Sequence, residues 1–491
     1  MQNVIILGGI KMEAKEMQRS LKPRHMVMIS IGGAIGTGLF VATGSSLSSA
    51  GPGGAIVAYG VIGIMVYFLM TSLGEMATHL PVAGSFETYA TRYVDSALGF
   101  ALGWNYWYNW AITVACELVA GVIVVKFWLP DSSELLICIL FLALLFGLNY
   151  YSARSYGESE FWFAGIKVVT IIIFLVVGLL MILGVLGGHS PGFSNWTLKD
   201  APFVGGWAAL VNIFMIAGFS FGGVEIVAVA AGESEDPKKN VPKAIKTIFW
   251  RIMLFYIGAI IVIGFLLPYT DPNLLQGDID NVAVSPFTLI FERAGLAAAA
   301  SIMNAVILTS ILSCGNSSLY VSSRMLYALA KEGKAPKVFS RLNKRGVPVL
   351  SLVATTAIGA VCFLTTKIGE GTVYTWLVNA AGLAGFITWF GIAICHYKFR
   401  KAFLAQGHDL SELQFKAKFY PFGPIFAMAL CIIVILGQNY AAFLGGTIDW
   451  QGILVSYIGL PLFLILYVAY KVVKKTKIIK PEEADLSGAE E

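Results

Sequence analysis

Long apolar runs, separated by short polar segments, recur along the whole chain of 491 residues. A helix needs about 20 apolar residues to cross the ~30 Å hydrocarbon core of a bilayer. The pattern therefore predicts an all-α integral membrane protein with twelve transmembrane helices, numbered here as spans 1 to 12. The predicted ranges are 25–50, 54–78, 98–127, 134–152, 160–186, 205–231, 246–269, 295–328, 347–366, 372–398, 419–442 and 451–470.

Composition and charge support this pattern. The chain is 57% hydrophobic and 13% charged, with a mean hydropathy of +0.75, whereas soluble proteins carry about 25% charged residues. Of the 34 Lys and Arg residues, 29 fall on one face of the predicted bundle and 3 on the other. Because basic residues collect on the cytoplasmic side, both termini are predicted to be cytoplasmic. The net charge of +5 therefore requires no nucleic-acid partner.

The spans divide the chain simply. We expect a cytoplasmic tail over 1–20, a membrane domain over 21–475 and a second cytoplasmic tail over 476–491. Residues 1–11 lack the length and basic head of a cleavable signal, and Met12 is an alternative start. The spacing of the six cysteines fits neither a metal site nor a disulfide framework, so buried packing is expected.

Glycines interrupt two of the spans. Span 1 contains "IGGAIGTGLF" (31–40), and span 6 contains "GFSFGGVE" (218–225). Five spans separate equivalent points, and broken helices at matching places are typical of transporters built from inverted repeats. We therefore predict repeats over 25–186 and 205–398, with spans 11 and 12 (419–470) as an addition.

Unwound backbone inside a bilayer needs a partner for its polar groups. The N–H groups of Gly33–Gly38 are placed to bind a carboxylate, and carbonyls near Ile31–Gly32 and Phe219–Phe221 to accept from an ammonium group. The two breaks thus predict a binding site for an amino acid's head group. The alternative is close helix packing, because Gly32 and Gly36 form a GxxxG pair.

Three ionisable residues within the spans are candidates for proton coupling, because charges in a bilayer are costly. Lys167 lies about seven residues into span 5, Glu225 follows the break in span 6, and Glu117 lies in span 3. The alternatives are snorkelling to the surface for Lys167, a helix cap for Glu225 and a polar lining role for Glu117. Glu225 is also a candidate counter-ion for a basic substrate.

Other residues are weaker candidates. Tyr106 and Trp110 share one helix face at i, i+4, so both are placed to line a pocket, although Trp is also a common interfacial anchor. Glu75, Arg92 and Glu233 lie near the predicted cytoplasmic ends and form possible gate ion pairs.

Several stretches resemble the amino acid permeases of the amino acid–polyamine–organocation superfamily, from Leu21 to about Lys475. The stretches are "LKPRHMVMISIGGAIGTGLF", "GPGGAIVAYGVIGIMVYFLMTSLGEMATHLPVAGSF", "GFALGWNYWYNWA", "GFSFGGVEIVAVAAGESEDP", "NAVILTSILSCGNSSLYVSSRMLYALA" and "GPIFAMALCIIVILGQNYAAF". The resemblance implies a leucine-transporter-like fold and proton-driven amino acid uptake across the bacterial cytoplasmic membrane. It implies a proton as coupling ion, no other cofactor and no enzymatic activity. The implied partners are membrane lipid and an amino acid as small-molecule substrate, with no obligate protein partner.

The resemblance also assigns residues. It implies that Ala34, Ile35, Gly36, Thr37 and Gly38 form the carboxylate-binding segment, and that Phe219, Ser220 and Phe221 surround the ammonium group. It further implies that Tyr106 and Trp110 line the pocket and that Lys167 occupies the place where sodium-driven relatives bind sodium.

Within the family, "GWNYWYNWA" and "YTDPNLLQGDIDNVAVSPFTLIF" are most similar to lysine-transporting members, which implies L-lysine as substrate. Gly222 and Val224 stand where more polar residues are expected, and Ala380–Ala381 replace a hydroxyl pair. The alternatives are therefore a histidine, arginine or aromatic permease, an exchanger, and a non-transporting amino acid sensor.

Overall fold

The computed structural model describes residues 4–7, 10–13, 22–32, 35–82, 84–151, 153–188, 190–231, 234–274, 285–293, 295, 297–444, 448 and 450–487. The helices are α1 Pro23–Gly32, α2 Thr37–Phe40, α3 Ala42–His79, α4 Phe86–Tyr93, α5 Ser96–Val125, α6 Glu134–Tyr151, α7 Ala153–Ile182, α8 Gly206–Phe221, α9 Ile226–Ala230, α10 Pro237–Trp250, α11 Ala259–Leu266, α12 Pro286–Arg293, α13 Ala297–Lys331, α14 Val349–Gly359, α15 Thr365–Ile368, α16 Glu370–Ala405, α17 Phe422–Gly437, α18 Ala441–Leu444, α19 Trp450–Tyr457 and α20 Gly459–Lys474. Shorter elements are a π-helical segment, Arg251–Gly258, and 3-10 turns at Ser194–Trp196, Lys337–Ser340, Ala360–Leu364, Leu410–Glu412 and Pro481–Glu483.

The chain is a multi-pass helical membrane protein. Within the described residues, nine helical segments are long and apolar enough to cross a membrane. The remaining predicted spans correspond to helices that are shorter or interrupted: span 1 to α1 and α2 with the start of α3, span 11 to α17, and span 12 to α19 and α20. The count of twelve crossings stays a prediction. Before the helices, β1 (Val4–Leu7) and β2 (Ile10–Glu13) form a small antiparallel hairpin.

Several helices begin earlier than the hydropathy pattern predicts. Helix α7 begins at Ala153 rather than at residue 160, and the helix of span 7 begins at Pro237 rather than at 246. At the second start, the Asp236 side chain accepts from the N–H of Lys239, and proline is tolerated in a first turn because that N–H is unpaired in any helix. Polar residues at these ends concealed the true starts.

Glycine determines where the helices break. Gly51 has φ +72° and is followed by Pro52, so α3 kinks there and separates spans 1 and 2. In span 6, α8 continues through Phe221 and the break falls at 222–225, where Gly223 has φ +87°. The break is therefore displaced towards the C-terminal end of the predicted 218–225 stretch.

The interrupted helices lie in the centre of the bundle. Helix α2 packs on α8, and α5 is enclosed by α13 and α16. The broken segments consequently meet the polar faces of these long helices away from the lipid-facing surface. All six cysteines are described, and all are buried without forming a disulfide, as expected for packing residues.

Candidate substrate and ion site

The two helix breaks are bonded to each other. The hydroxyl of Ser220 donates to the carbonyl oxygen of Gly38 at 2.6 Å and lies 2.9 Å from the hydroxyl oxygen of Tyr59. A Cβ atom on Gly38 would lie 2.5 Å from Cα of Ser220, so only glycine permits this approach. The glycines of span 1 therefore provide both close packing and an interrupted helix, and the two readings of the sequence are compatible.

Buried ionisable side chains hold the break between α1 and α2. The Lys167 ammonium donates to the carbonyl oxygen of Gly32 at 2.9 Å. Across the break, the Glu117 carboxylate accepts from the hydroxyl of Thr37 at 3.1 Å and from its N–H at 3.4 Å. The protein thus supplies a cation for a freed carbonyl and an anion for a freed N–H, as unwound backbone in a membrane requires.

The position of Lys167 corrects one interpretation of the sequence. Because α7 begins at Ala153, Lys167 lies fourteen residues into the helix, about 21 Å along the axis. Its side chain is fully buried and bonded to Gly32. Snorkelling to the membrane surface is therefore wrong for this residue.

A buried cavity adjoins both breaks. Its walls come from five elements, and its lining residues are Gly38, Asn109, Trp110, Thr113, Glu117, Gly218, Phe219, Gly222, Glu225, Cys314, Ala381, Gly382, Gly385, Phe386 and Trp389. Only about 30 Å³ of the cavity is accessible to the centre of a water molecule. An amino acid can therefore enter only if the aromatic side chains of the cavity wall move.

Glu225 supplies a second carboxylate to the cavity wall. Its side chain is 2% exposed and lies 3.5 Å from the hydroxyl of Tyr106 and 3.3 Å from the indole Nε1 of Trp389. It precedes α9, but within the described residues its carboxylate makes no capping hydrogen bond to that helix. The interpretation as a side-chain cap of α9 is therefore wrong. The carboxylate lines the cavity, where it also accepts from the backbone N–H groups of Gly223 and Glu225.

The predicted site residues fall into three groups. Gly38, Trp110, Glu117, Phe219 and Glu225 line the cavity. The remaining predicted residues that the structure describes pack directly behind them: Ile35, Gly36, Thr37, Tyr106, Lys167, Ser220 and Phe221. Ala34 lies outside the described residues.

The freed carbonyls predicted in span 6 already have partners. The N–H of Gly222 donates to the carbonyl of Phe219 at 3.0 Å, and the hydroxyl of Tyr256 donates to that of Ser220 at 2.8 Å. Gly32 accepts from Lys167 in the same way. Their role in binding an ammonium group stays a prediction that requires these partners to be exchanged.

Sequence reasoning missed several wall residues. Asn109 and Thr113 precede Glu117 at helical spacing and share its face, so periodicity along α5 was a sufficient signal for both. Phe386 and Trp389 come from α16 and carried no local signal. Glu160 is the first residue of predicted span 5, yet its side chain is fully buried.

Ion pairs close one face of the bundle, the face that carries Glu75, Glu87 and Arg92. We call it the basic face. Glu75 pairs with Arg400, and Arg92 pairs with Asp485 at 3.2 Å, so both residues form ion pairs, while their action as a gate stays a prediction. The sequence indicated that Glu75 and Arg92 lie near one face of the bundle, but it carried no information about their ion-pair partners. Glu233 lies outside the described residues.

A further pair on the basic face joins Lys334 to Glu87. Burial raises the pKa of Glu87 to about 7, against the opposing effect of the Lys334 ammonium. The C-terminal segment docks beside these pairs: the N–H of Ile479 donates to the carbonyl of Val94, and His79 bonds the carbonyl of Leu486 at 2.9 Å. The basic face is therefore tied together by both charge and backbone.

The opposite face is open by comparison. A polar cavity of about 360 Å³ is lined there by Ser49, Asn212, Asn379 and Gln438, among others. A second cavity of about 170 Å³ shares the first three of these residues and extends inward to Tyr374. Polar space thus approaches the breaks from the face opposite the ion pairs.

The described geometry can be compared with known proteins. The family model of the amino acid permeases matches residues 25–481. The chain belongs to the amino acid permease family. Its members are transporters rather than enzymes, and this chain is accordingly a multi-pass membrane protein of amino acid transport.

Individual relatives match over nearly the full length. The chain is 56% identical to the lysine-specific permease LysP of Escherichia coli over 472 residues, 96% of each chain. It is 49% identical to LysP of Lactococcus lactis, covering 96% of this chain and 93% of the relative. It is also 48% identical to the histidine permease HisP of the same organism, covering 96% of this chain and 98% of the relative.

Proposed function

We propose that this permease imports L-lysine together with a proton by alternating access. The observation that carries the proposal is the buried cavity between two interrupted helices, with Glu117 on one side and Glu225 on the other. An amino acid crossing a membrane must exchange its hydration for protein hydrogen bonds, and interrupted backbone supplies these bonds.

Lysine is favoured by the chemistry of the cavity wall. A buried ammonium group requires an anionic partner, because the cost of burying an unpaired charge is high. Glu225 offers its carboxylate to the cavity, with Tyr106 and Trp389 beside it. Aromatic faces also attract cations. The relative with 56% identity carries the name lysine-specific permease, which supports the same substrate.

In the proposed cycle, substrate and proton enter from the polar cavities and reach the breaks. The protein then opens the basic face, where Glu75 and Arg400, and Glu87 and Lys334, pair in this conformation. That face is the cytoplasmic one in the proposal, with both termini on it. Glu117 and Lys167 carry the coupling, and no cofactor other than the proton takes part.

The proposed architecture is leucine-transporter-like, with inverted repeats over 25–186 and 205–398 and two additional helices. Two features support it. Spans 1 and 6 are both interrupted near their centres, and Gly38 and Ser220 bring the interruptions into contact. These features are what two inverted halves with one broken helix each require.

Histidine import is the second candidate function. The two relatives from Lactococcus lactis, one a lysine permease and one a histidine permease, are 49% and 48% identical to this chain. Overall identity therefore does not separate the two substrates. Gly222 and Ala381 contribute no polar side chain to the cavity, which favours a substrate with an aromatic ring.

The test is uptake of radiolabelled L-lysine into liposomes that contain the purified protein, with and without an inward proton gradient. Unlabelled histidine, arginine and phenylalanine serve as competitors, and protein-free liposomes as the control. Accumulation that an uncoupler abolishes, and that lysine alone competes, supports the proposal.

Other outcomes select the alternatives. Uptake that requires preloaded amino acid instead of a gradient identifies an exchanger. Preferential competition by histidine identifies the second candidate. Binding without any uptake would leave only a sensor.

A further inference from the structure

A third buried carboxylate lies beside the break in span 1. The side chain of Glu160 is fully buried on α7, two turns before Lys167. Its Oε1 lies 3.8 Å from the Lys167 ammonium, and its two oxygens accept from the hydroxyl of Ser313 at 2.9 and 2.8 Å. The proposed function assigns it no role.

The position of Glu160 favours the charged form of Lys167. A buried ammonium beside a buried carboxylate is held charged, and removing one member leaves the other uncompensated. Lys167 also donates to the carbonyl of Gly32, a bond that the ammonium form makes best. Glu160 and Gly32 therefore both favour the protonated lysine.

Glu117 is placed differently. Its hydrogen-bond partners are the thiol of Cys314 and the hydroxyl and N–H of Thr37, which are neutral donors and can bond either the carboxylate or the protonated acid. Glu117 also lines the cavity, whereas Glu160 and Lys167 lie behind it. Of the two buried acids, Glu117 is the one that a proton arriving with substrate can reach.

The groups around this cluster come from four elements. Tyr156 and Lys167 lie on the helix of Glu160 itself, Glu117 on α5, Cys314 on α13 and Arg251 at the start of the π-helical segment. Arg251 donates to the hydroxyl of Tyr256 at 3.2 Å.

We propose that Glu160 is the fixed counter-ion of Lys167, which keeps the lysine charged through the cycle, so that Glu117 carries the transported proton. This inference rests on the proposed proton coupling. Glu160 acts through Lys167 and is a positioning residue, since it touches neither substrate nor the cavity.

The test is Glu160→Gln in liposomes, which keeps the shape and the acceptor for Ser313 but removes the charge. In this variant Glu117 is the carboxylate that remains near Lys167, and the charges of these two residues cancel without a transported proton. Gradient-driven accumulation of labelled L-lysine is expected to fall about tenfold or more, the scale of a typical coupling energy, while lysine–lysine exchange persists.

Two variants serve as controls. The first is Glu158→Gln. Glu158 lies on the same helix, is partly exposed and pairs with Arg24 at 2.6 Å, so its substitution should change accumulation by less than about twofold. Glu160→Asp keeps the carboxylate and should restore part of the accumulation.

Several results would overturn the inference. Wild-type accumulation that ignores the proton gradient refutes the proposed function itself. A coupled wild type with an equally coupled Glu160→Gln variant refutes only the inference. A Glu160→Gln variant that shows only a shifted pH optimum also refutes the inference, because it identifies Lys167 as the proton carrier. A variant that loses exchange and accumulation equally refutes it as well, because such a loss indicates a structural role for Glu160.

A second measurement covers the case in which Glu160→Gln does not fold. The melting temperatures of Glu160→Gln, Lys167→Met and the double variant form a double-mutant cycle. A fixed ion pair predicts that the double variant is at least as stable as the less stable single variant. Additive losses of stability contradict it.

Discussion

The two helix breaks use different means to stabilise unwound backbone. At the break in span 1, Lys167 and Glu117 bond the carbonyl of Gly32 and the N–H of Thr37. At the break in span 6, the hydroxyl of Tyr256 bonds the carbonyl of Ser220, and the nearby Glu225 accepts from backbone N–H groups of the break itself. Side chains of opposite charge thus join the first break to neighbouring helices, whereas the carboxylate at the second break has only neutral donors, including the long contacts with Tyr106 and Trp389.

This difference suggests a division of labour. The ionisable groups at the break in span 1, Lys167 and Glu117, have partners within the protein, so a proton can change the charge of Glu117 without any substrate side chain. Glu225 lacks a cation in direct contact within the described residues, which suits it to a cationic substrate. Substitutions at the two breaks should therefore separate the two roles.

Alanine at the glycines of span 1 should have the largest effect, because it impairs both folding and transport. In Gly38→Ala the new Cβ would lie 2.5 Å from backbone Cα of Ser220, and in Gly36→Ala it would lie 2.7 Å from Cβ of Cys314. Overpacking of this kind costs about 1–3 kcal/mol or more, so both variants should lose stability and transport. Melting temperature and uptake measure these losses.

The matched control for these glycines is Gly60→Ala. Nothing lies within 4 Å of the Cβ position at Gly60, which is in the interior of α3. Alanine there should stabilise the helix by up to about 1 kcal/mol. If Gly38→Ala behaved like Gly60→Ala, the breaks would not need their close approach.

Glu225→Gln should weaken the binding of lysine without uncoupling transport. Leaving a buried ammonium without its carboxylate costs about 2–5 kcal/mol, roughly a thirtyfold or greater rise in Kd. Binding of labelled lysine and competition by histidine measure the change. Glu332→Gln, which alters a carboxylate on the basic face, is the control.

The proposed difference between the two breaks would be contradicted if Glu225→Gln bound lysine normally but no longer responded to the proton gradient. That result would transfer the coupling role to the break in span 6. A parallel loss for lysine and neutral amino acids would instead indicate a general role in cavity shape.

Glu117→Gln should give the reverse phenotype. Glutamine keeps an oxygen acceptor for the hydroxyl and N–H of Thr37, so the break stays bonded while the titratable group is lost. We expect exchange of lysine to continue and gradient-driven accumulation to fall about tenfold, within the usual range of coupling energies. Accumulation at the wild-type level would exclude Glu117 as the proton carrier.

The sequence was sufficient for much of this site. Lys167, Glu117 and Glu225 are conspicuous because each lies in an otherwise apolar run, and the glycines located both breaks to within a few residues. The residues from Phe386 to Trp389 carried no such signal, because their role depends on α16 packing against α8. The start of α7 was also missed, since polar residues precede its apolar run, and Glu160 was missed with it.

Removing the hydroxyl that links the two breaks should have the smallest effect. Ser220→Ala loses the bond to the carbonyl of Gly38 and the contact with Tyr59 but adds no atom to the packed interface. One neutral hydrogen bond contributes about 1 kcal/mol, so stability should fall by that amount and transport should slow modestly. Ser318→Ala is the control, because that hydroxyl donates to Cys314 of its own helix. If Ser220→Ala and Ser318→Ala lose equal stability but unequal transport, the bond between Ser220 and Gly38 coordinates the movement of the two broken helices. If the two variants lose equal stability and equal transport, the bond contributes only to packing.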